Sequence, residues 1–132
     1  MKVIETGLPV LKVPLEWVVM GEGGILFTSH VAIHENGEFE LGDARAQTEL
    51  IFVNLKMALR AAGADLSNLL QVLIYMTDPA NGPVVNQVYA EHIKAPFPNR
   101  ASFYISALAV TGLRVEFVAY ARLAKSTGSG LR

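Results

Sequence analysis

Few side chains in this chain could carry chemistry, because it has no cysteine and only three histidines. The absence of cysteine excludes a thiolate nucleophile, a disulfide scaffold and a zinc–cysteine site. The histidines, His30, His34 and His92, are not spaced as ligands of one metal ion, so we expect no metal site. An imidazole titrates near neutral pH, however, which makes His30, next to a serine in a predicted strand, a candidate for proton transfer.

The composition predicts one globular domain. Of the 132 residues, 52% are hydrophobic and 17% are charged, which excludes disordered, collagen-like and coiled-coil classes. The formal net charge of -1 supplies no basic excess to neutralise phosphates, so we expect no nucleic-acid partner. A mean hydropathy of +0.35 is high for a small monomer and favours a subunit interface.

Nothing in the sequence predicts a membrane protein. The longest strongly apolar stretch, residues 69–76, is far shorter than the ~18–20 residues of a spanning helix. The first residues lack the apolar segment and cleavage site of a secretory signal, so we expect a cytoplasmic protein. We assign residues 1–124 to a single domain and the Ser/Thr/Gly-rich residues 125–132 to a flexible C-terminal tail.

The first elements that must position any chemistry form a β-hairpin. Residues 17–20 and 25–33 are mostly β-branched, aromatic or aliphatic, and glycines separate the two runs. Asn36-Gly37 then predicts a second tight turn.

A long helix follows over residues 44–62. Asp43 suits its N-cap, and Gly63 is expected to end it. The charged residues of the helix fall in one narrow stripe, and Asn54 lies opposite that stripe. We therefore expect the Asn54 amide to be buried and hydrogen-bonded.

The second half of the chain predicts a strand, a helix and two further strands. Residues 69–77 form a nearly continuous apolar run, which is typical of a strand buried on both faces. Pro83 suits the first turn of a helix that extends to about Ile93. Strands over residues 101–108 and 113–123 follow, and alternate residues of the last strand face opposite sides of the sheet.

This order predicts an α+β fold with one mixed sheet and two helices on one face. Two right-handed strand–helix–strand crossovers place both helices on the same side. The opposite sheet face then has no helix to cover it. Because the chain is so apolar, the simplest expectation is that another subunit covers this sheet face.

Several stretches occur in the order seen in a known family. They are Leu26-Phe27-Thr28-Ser29, Val53-Asn54-Leu55-Lys56, Ala61-Ala62-Gly63-Ala64, Tyr75-Met76-Thr77-Asp78, Val85-Asn86-Gln87-Val88-Tyr89-Ala90 and Pro98-Asn99-Arg100. From about Trp17 to Leu123 the chain resembles the RidA/YjgF family of enamine/imine deaminases, also called endoribonuclease L-PSP-like. The resemblance implies a chorismate-mutase-like homotrimer with clefts between subunits, which hydrolyses 2-imino acids to 2-keto acids and ammonia without a metal or organic cofactor.

Three residues match family site positions. Arg100 matches the arginine that binds the substrate carboxylate, and a guanidinium offers a planar fork for that contact. The alternative is an ion-pair residue at the surface or an interface. Ser29 matches a serine lining the cleft, or is a strand serine bonded to a neighbour. Asn86 matches a cleft asparagine, although its position alone indicates a helix-surface amide.

Four residues depart from the family pattern. Val118 stands where the family has its water-activating glutamate, and Leu15 stands where it has a tyrosine. His30 replaces a small glycine, and Ser102 occupies a position where some members have cysteine. The resemblance therefore keeps the carboxylate anchor but changes the acid/base groups around it.

Glu116 and His30 are the candidates to replace the missing proton-transfer group. Glu116 precedes Val118 by two residues and projects from the same strand face, displaced by roughly 6–7 Å. The alternative is a structural pairing of this carboxylate with an arginine of its own face or a neighbour. His30 lies beside Ser29, but in a regular strand the two side chains point to opposite faces, and a structural histidine is the alternative.

Two functions of different classes follow from these residues. The first is a deaminase for imino or enamino acids, with Leu15, Trp17 and His30 shaping a pocket for a substrate bulkier than the simplest in the family. The second is a non-catalytic module in which Arg100 holds a small carboxylic acid such as a 2-keto acid. A ribonuclease role has little support, because the sequence shows no basic groove.

Overall fold

A six-stranded mixed sheet with two helices on one face makes up the computed structural model, which describes residues 1–123. The elements are β1 (Lys2–Val3), β2 (Val18–Met20), β3 (Ile25–Val31), α1 (Ala44–Ala61), β4 (Leu69–Met76), α2 (Gly82–His92), β5 (Asn99–Tyr104) and β6 (Val115–Arg122). The strand order is β1-β2-β3-β6-β4-β5, with only β4 and β5 parallel. The expected α+β class, with one mixed sheet and two helices, is confirmed. The flexible tail expected at residues 125–132 lies outside the described residues.

Helix α1 forms for the local reasons expected from its sequence. The Asp43 carboxylate accepts a hydrogen bond from the Ala46 N–H at 2.8 Å, and Gly63 ends the helix with a φ of +83°. Asn54 is only 4% exposed, and its Nδ2 donates to the Ile33 carbonyl at 2.8 Å. The buried, hydrogen-bonded amide is therefore confirmed, and it ties α1 to the end of β3. No helix within residues 1–123 is long and apolar enough to cross a membrane.

The strands differ from expectation mainly in their pairing. The last strand, β6, lies between β3 and β4, and β5 forms the outer edge and ends at Tyr104. The turn at Asn36-Gly37 forms, but the chain after it pairs with the preceding segment only through one bridge, Ile33–Phe39. Strand β1 was not expected. These differences arise because strand order depends on contacts between segments distant in sequence.

The two faces of the sheet are unlike. The face toward the helices is buried and includes Leu26, Ile74 and Phe117. On the opposite face Leu73 and Tyr75 are half-buried, so the two-sided burial expected for β4 does not occur within a single chain. This open face is apolar and aromatic, with Tyr75 and Phe103 stacked at 5.2 Å between ring centroids. The expectation of an uncovered sheet face is met.

Candidate functional site

The residues expected to form one site fall into two groups within the chain. Arg100 and Ser102 lie on β5, where the register places them beside Val72 and Ile74, two core residues of the helix-covered face. Ser29 and Val118 are register partners on β3 and β6, and both belong to the open face. A single chain therefore does not bring the anchor arginine to the serine.

Arg100 is held in place by what we call the arginine cluster: Arg100, Ser102, Asn86 and Tyr89. Its Nε and Nη2 donate to the Ser102 hydroxyl at 3.2 and 3.1 Å, and Nη2 also donates to the Asn86 side-chain oxygen. The guanidinium carbon lies 4.4 Å from the centroid of the Tyr89 ring, a cation–π distance. These contacts fix the direction of the guanidinium plane.

The charge of Arg100 is not neutralised by a carboxylate among residues 1–123. The ion pair considered for it is therefore not seen within the described part of the chain. Its Nη1 also makes no hydrogen bond there. A half-buried guanidinium whose two Nη1 N–H groups are unused can donate them to an incoming carboxylate.

The second group surrounds an apolar cavity of about 580 Å³ at the end of β3. Val10, Val13, Phe39 and Val110 contribute to its apolar walls. Five residues expected at the site line it as well: Leu15, Trp17, Ser29, His30 and Glu116. Val118, Arg100, Ser102 and Asn86 do not line it.

Glu116 is a half-buried carboxyl group with no partner in the described residues. Burial raises the pKa of Glu116, because the charged form loses its hydration. The considered pairings with Arg114 and Arg122 do not form, since these side chains donate to the carbonyls of Gly42 and Gly23. An unpaired carboxyl group with a raised pKa keeps its proton to higher pH than an ordinary glutamate, which suits it to proton transfer.

His30 is placed differently from the expected proton-transfer group. Its side chain is on the helix-covered face, 1% exposed, while Ser29 faces the open side, as the strand alternation required. Burial lowers the pKa of His30 from its ordinary value near 6.5 to about 3, so the ring is neutral at physiological pH. The structure therefore gives no support to a proton-donating role for His30.

Hydrogen-bond direction fixes the tautomer of His30. The Thr28 hydroxyl donates its only proton to the Trp17 carbonyl at 2.6 Å, so it must accept from His30 Nε2 at 2.8 Å. The imidazole also stacks on the Trp17 ring, with centroids 5.7 Å apart and planes 8° apart. Trp17 and His30, both hydrogen-bonded to Thr28, thus form a rigid wall of the cavity.

The distance between the two groups follows from the sheet register. Ser29 pairs with Val118, Val118 with Leu73, and Leu73 with Ala101. Three strand spacings of about 4.8 Å separate the two ends of this row by roughly 14 Å. In addition, the side chains of Arg100 and Ala101 lie on opposite faces of the sheet.

Within residues 1–123, no group of three or more His, Asp and Glu side chains is arranged to hold a metal ion.

Sequence reasoning gave no role to Tyr89 or to the cavity-lining residues Val10 and Val13. Tyr89 is three residues after Asn86, so both lie on one side of α2, and that spacing was the available signal. Val10 and Val13 belong to an N-terminal loop without periodicity, which gave no signal.

Comparison with known proteins gives a consistent family. The family model described as Endoribonuclease L-PSP matches residues 15–123. Reactive Intermediate Deaminase A, chloroplastic, of Arabidopsis thaliana is 33% identical over 88 residues, which cover 66% of this chain and 47% of that protein. The human 2-iminobutanoate/2-iminopropanoate deaminase is 29% identical over 86 residues, covering 65% of this chain and 62% of that protein. The chain thus spans about half to two thirds of the length of these curated relatives.

A solved structure shows the same fold. E. coli TdcF with bound serine superposes with a TM-score of 0.81 at 25% identity, covering 94% of this chain and 100% of that chain. The bound serine shows that this relative of the same fold accepts a small molecule that carries a carboxylate.

Proposed function

Because the chain belongs to the RidA/YjgF family, whose model is described as Endoribonuclease L-PSP, we propose that it hydrolyses 2-imino or enamino acids to 2-keto acids and ammonia. The observation that carries the proposal is the Arg100 guanidinium, oriented by Ser102, Asn86 and Tyr89 but paired with no carboxylate in the described residues. The human relative's name adds support, since 2-imino acids are carboxylates.

The complete site in this proposal lies between subunits of a homotrimer. Arg100 and Ser29 are on opposite faces of the sheet and three strands apart, so they meet only if Arg100 of one chain approaches the open face of another. The half-buried apolar residues of that face, including Leu73, favour burial against a second copy.

Glu116 supplies the proton in this mechanism. In its protonated form it donates to the imine nitrogen, and water then attacks the C=N carbon while the carboxylate takes a proton from that water. Glu116 then passes this proton to the nitrogen, the C–N bond breaks, and ammonia leaves while the C=O bond forms and the hydroxyl proton returns to the Glu116 carboxylate. Imine plus water thus gives ketone plus ammonia, and a positioned acid/base group contributes roughly 10²–10⁴-fold to such a reaction.

The other site residues have positioning roles in this proposal. Ser29 lines the cavity together with Val31, and its hydroxyl can orient substrate or water there. Ser102 and Asn86 orient Arg100. Val118 and Leu15 stand where the family has a glutamate and a tyrosine, which leaves the neighbourhood of Ser29 more apolar than in the family.

Deamination fits this chain better than the ribonuclease activity in the family's description. A net charge of -1 provides no basic excess to neutralise a phosphate backbone. The cytoplasmic location stays a prediction, since the Arabidopsis relative carries the word chloroplastic in its name.

Ammonia release tests the proposed function. The wild-type protein is added to 2-iminobutanoate generated in situ, and we expect ammonia to appear faster than by spontaneous hydrolysis. Binding of 2-oxobutanoate, the product, is measured in parallel. Binding of 2-oxobutanoate without faster ammonia release would refute the deaminase function and favour a non-catalytic carboxylate-binding module.

Sedimentation equilibrium tests the proposed assembly. We expect a trimer mass at micromolar concentration. A monomer would contradict every role that requires Arg100 and Ser29 to come from different chains.

A further inference from the structure

The cavity beside Ser29 is much larger than the reacting part of a small imino acid needs. Its volume of about 580 Å³ lies in the range of roughly 300–1,000 Å³ that holds whole drug-sized ligands. Most of the lining is apolar, and the neutral His30 adds no charge to it.

The cavity is also rigid on one side. Trp17 uses its indole N–H to donate to the Pro9 carbonyl at 2.8 Å, and its own carbonyl accepts from Thr28. With His30 stacked on it, the indole keeps its position without a ligand. A preformed apolar wall binds an apolar group without loss of side-chain freedom.

Polar groups are confined to part of the lining. Ser29 and Glu116 project from the open sheet face, which is the face that a neighbouring Arg100 would approach, and Lys12 belongs to the loop. A ligand can therefore place a polar head at Ser29 and Glu116 and an apolar tail among Val13, Phe39 and the other walls.

We propose that this cavity is a side-chain pocket that selects 2-imino acids with long aliphatic side chains. The inference rests on the proposed function, because it assigns the tail of the same substrate whose carboxylate Arg100 holds. A charged tail is rejected, because the apolar lining does not replace its hydration and the exposed Lys12 ammonium offers only a weak surface ion pair.

The test is a binding series with straight-chain 2-oxo acids, the products of the proposed reaction. Isothermal titration calorimetry from 2-oxobutanoate to 2-oxooctanoate should show about fourfold tighter binding per added methylene, or roughly 250-fold over the series. Trp17 is the only tryptophan, so its fluorescence reports occupancy of the cavity independently. The dicarboxylate 2-oxoadipate should bind no more tightly than 2-oxobutanoate.

A matched pair of variants locates the tail. Ala109 is exposed at the cavity, so Ala109→Phe should fill the cavity and remove most of the chain-length dependence. Ala107 is exposed in the same loop but does not line this cavity, so Ala107→Phe should keep the full dependence. Melting temperatures of both variants confirm folding, and the wild-type series stands without them.

The outcomes separate this inference from the proposed function. Equal affinity for every chain length, with turnover of 2-iminobutanoate intact, overturns the side-chain pocket but not the proposed function. Chain-length dependence that survives Ala109→Phe also overturns it, because the tail then lies elsewhere. Failure to bind any 2-oxo acid, together with no imine hydrolysis, overturns the proposed function itself.

Discussion

The arginine cluster and the apolar cavity differ in how their polar groups are satisfied within one chain. In the arginine cluster Arg100 donates to Ser102 and Asn86 and lies against the Tyr89 ring. In the cavity Glu116 has no hydrogen-bond or ion-pair partner among the described residues. The arginine cluster thus presents an oriented positive charge. The cavity presents an apolar volume in which the Glu116 carboxyl group has no partner among the described residues.

This difference indicates that the two regions have separate functions. Orientation of a cation by neutral partners leaves its charge available for a carboxylate, which suits binding. Desolvation of an acid without a partner raises its pKa, which suits proton transfer. If the comparison is right, changes in the arginine cluster should affect affinity, and changes at Glu116 should affect turnover.

The largest expected effect is the loss of turnover in Glu116→Gln. The amide has the same shape but cannot transfer the proton, so imine hydrolysis should fall by roughly 10²–10⁴-fold. Wild-type turnover should decline as pH rises through the raised pKa of Glu116, because the proton donor is lost, and the variant should lack this decline. The measurement is ammonia release against pH.

Affinity provides the control for that variant. The affinity of Glu116→Gln for 2-oxobutanoate should match wild type, because the carboxylate is held by the other region. Glu22→Gln, at an exposed turn, should keep full turnover. Unchanged turnover in Glu116→Gln would move the proton-transfer role to another group.

The next effect is on binding, in Arg100→Ala. A charge-assisted contact is worth about 1.5–3 kcal/mol, so 2-oxobutanoate should bind roughly ten- to a hundredfold more weakly. Arg100→Lys keeps the charge but not the fork and should recover only part of the affinity. Calorimetry measures both, with Arg60→Ala on the exposed side of α1 as the matched control. Dissociation of Arg100→Ala into monomers would instead make Arg100 an interface residue.

The sequence predicts local structure better than the site. Asp43, Asn54 and Gly63 behave as expected, because capping, burial and termination of a helix depend on residues a few positions apart. The place of β6 between β3 and β4 is fixed by contacts between residues at least 39 positions apart, so no short pattern could reveal it. Val10 and Val13 of the cavity lining come from a loop without periodicity, which also gave no signal.

His30 shows why a residue type alone misleads. A histidine beside a serine indicated proton transfer, but strand alternation turns the ring into the core, where burial holds its pKa at about 3. Only the packing of Trp17 and Thr28 around the ring decides between a titrating and a neutral imidazole.

This burial predicts how stability depends on pH. Unfolded chains bind a proton at His30 below about pH 6.5, whereas the folded chain does not until about pH 3. The free energy of unfolding should therefore fall as pH decreases between these values, by up to about 1.4 kcal/mol per pH unit from this group. Urea unfolding at fixed protein concentration and pH 7, 6 and 5 measures the slope.

Two histidine variants identify the source of that slope. The free energy of unfolding of His30→Gln should change less steeply with pH than that of wild type, because the variant lacks the group that takes up a proton only on unfolding. His34→Gln, at a side chain that is 45% exposed, serves as the matched control for the substitution itself. An identical slope in wild type and His30→Gln would show that the cavity wall carries no neutral, buried imidazole.

The smallest effect concerns Tyr89, where the arginine cluster meets the core. Its ring lies under Arg100 and also packs on Phe52, with centroids 6.1 Å apart. Tyr89→Leu removes the aromatic face, worth about 0.5–1 kcal/mol to a cation, so 2-oxobutanoate affinity should fall roughly two- to fivefold with kcat nearly unchanged.

Tyr89→Phe should retain wild-type affinity, because the hydroxyl has no hydrogen-bond partner in the described residues. Phe52→Leu damages the same aromatic core without touching Arg100, so it should lower the melting temperature but not the affinity. If Tyr89→Leu and Phe52→Leu lowered the melting temperature alike and neither changed affinity, Tyr89 would be a core residue only, and the orientation of Arg100 would depend on Ser102 and Asn86.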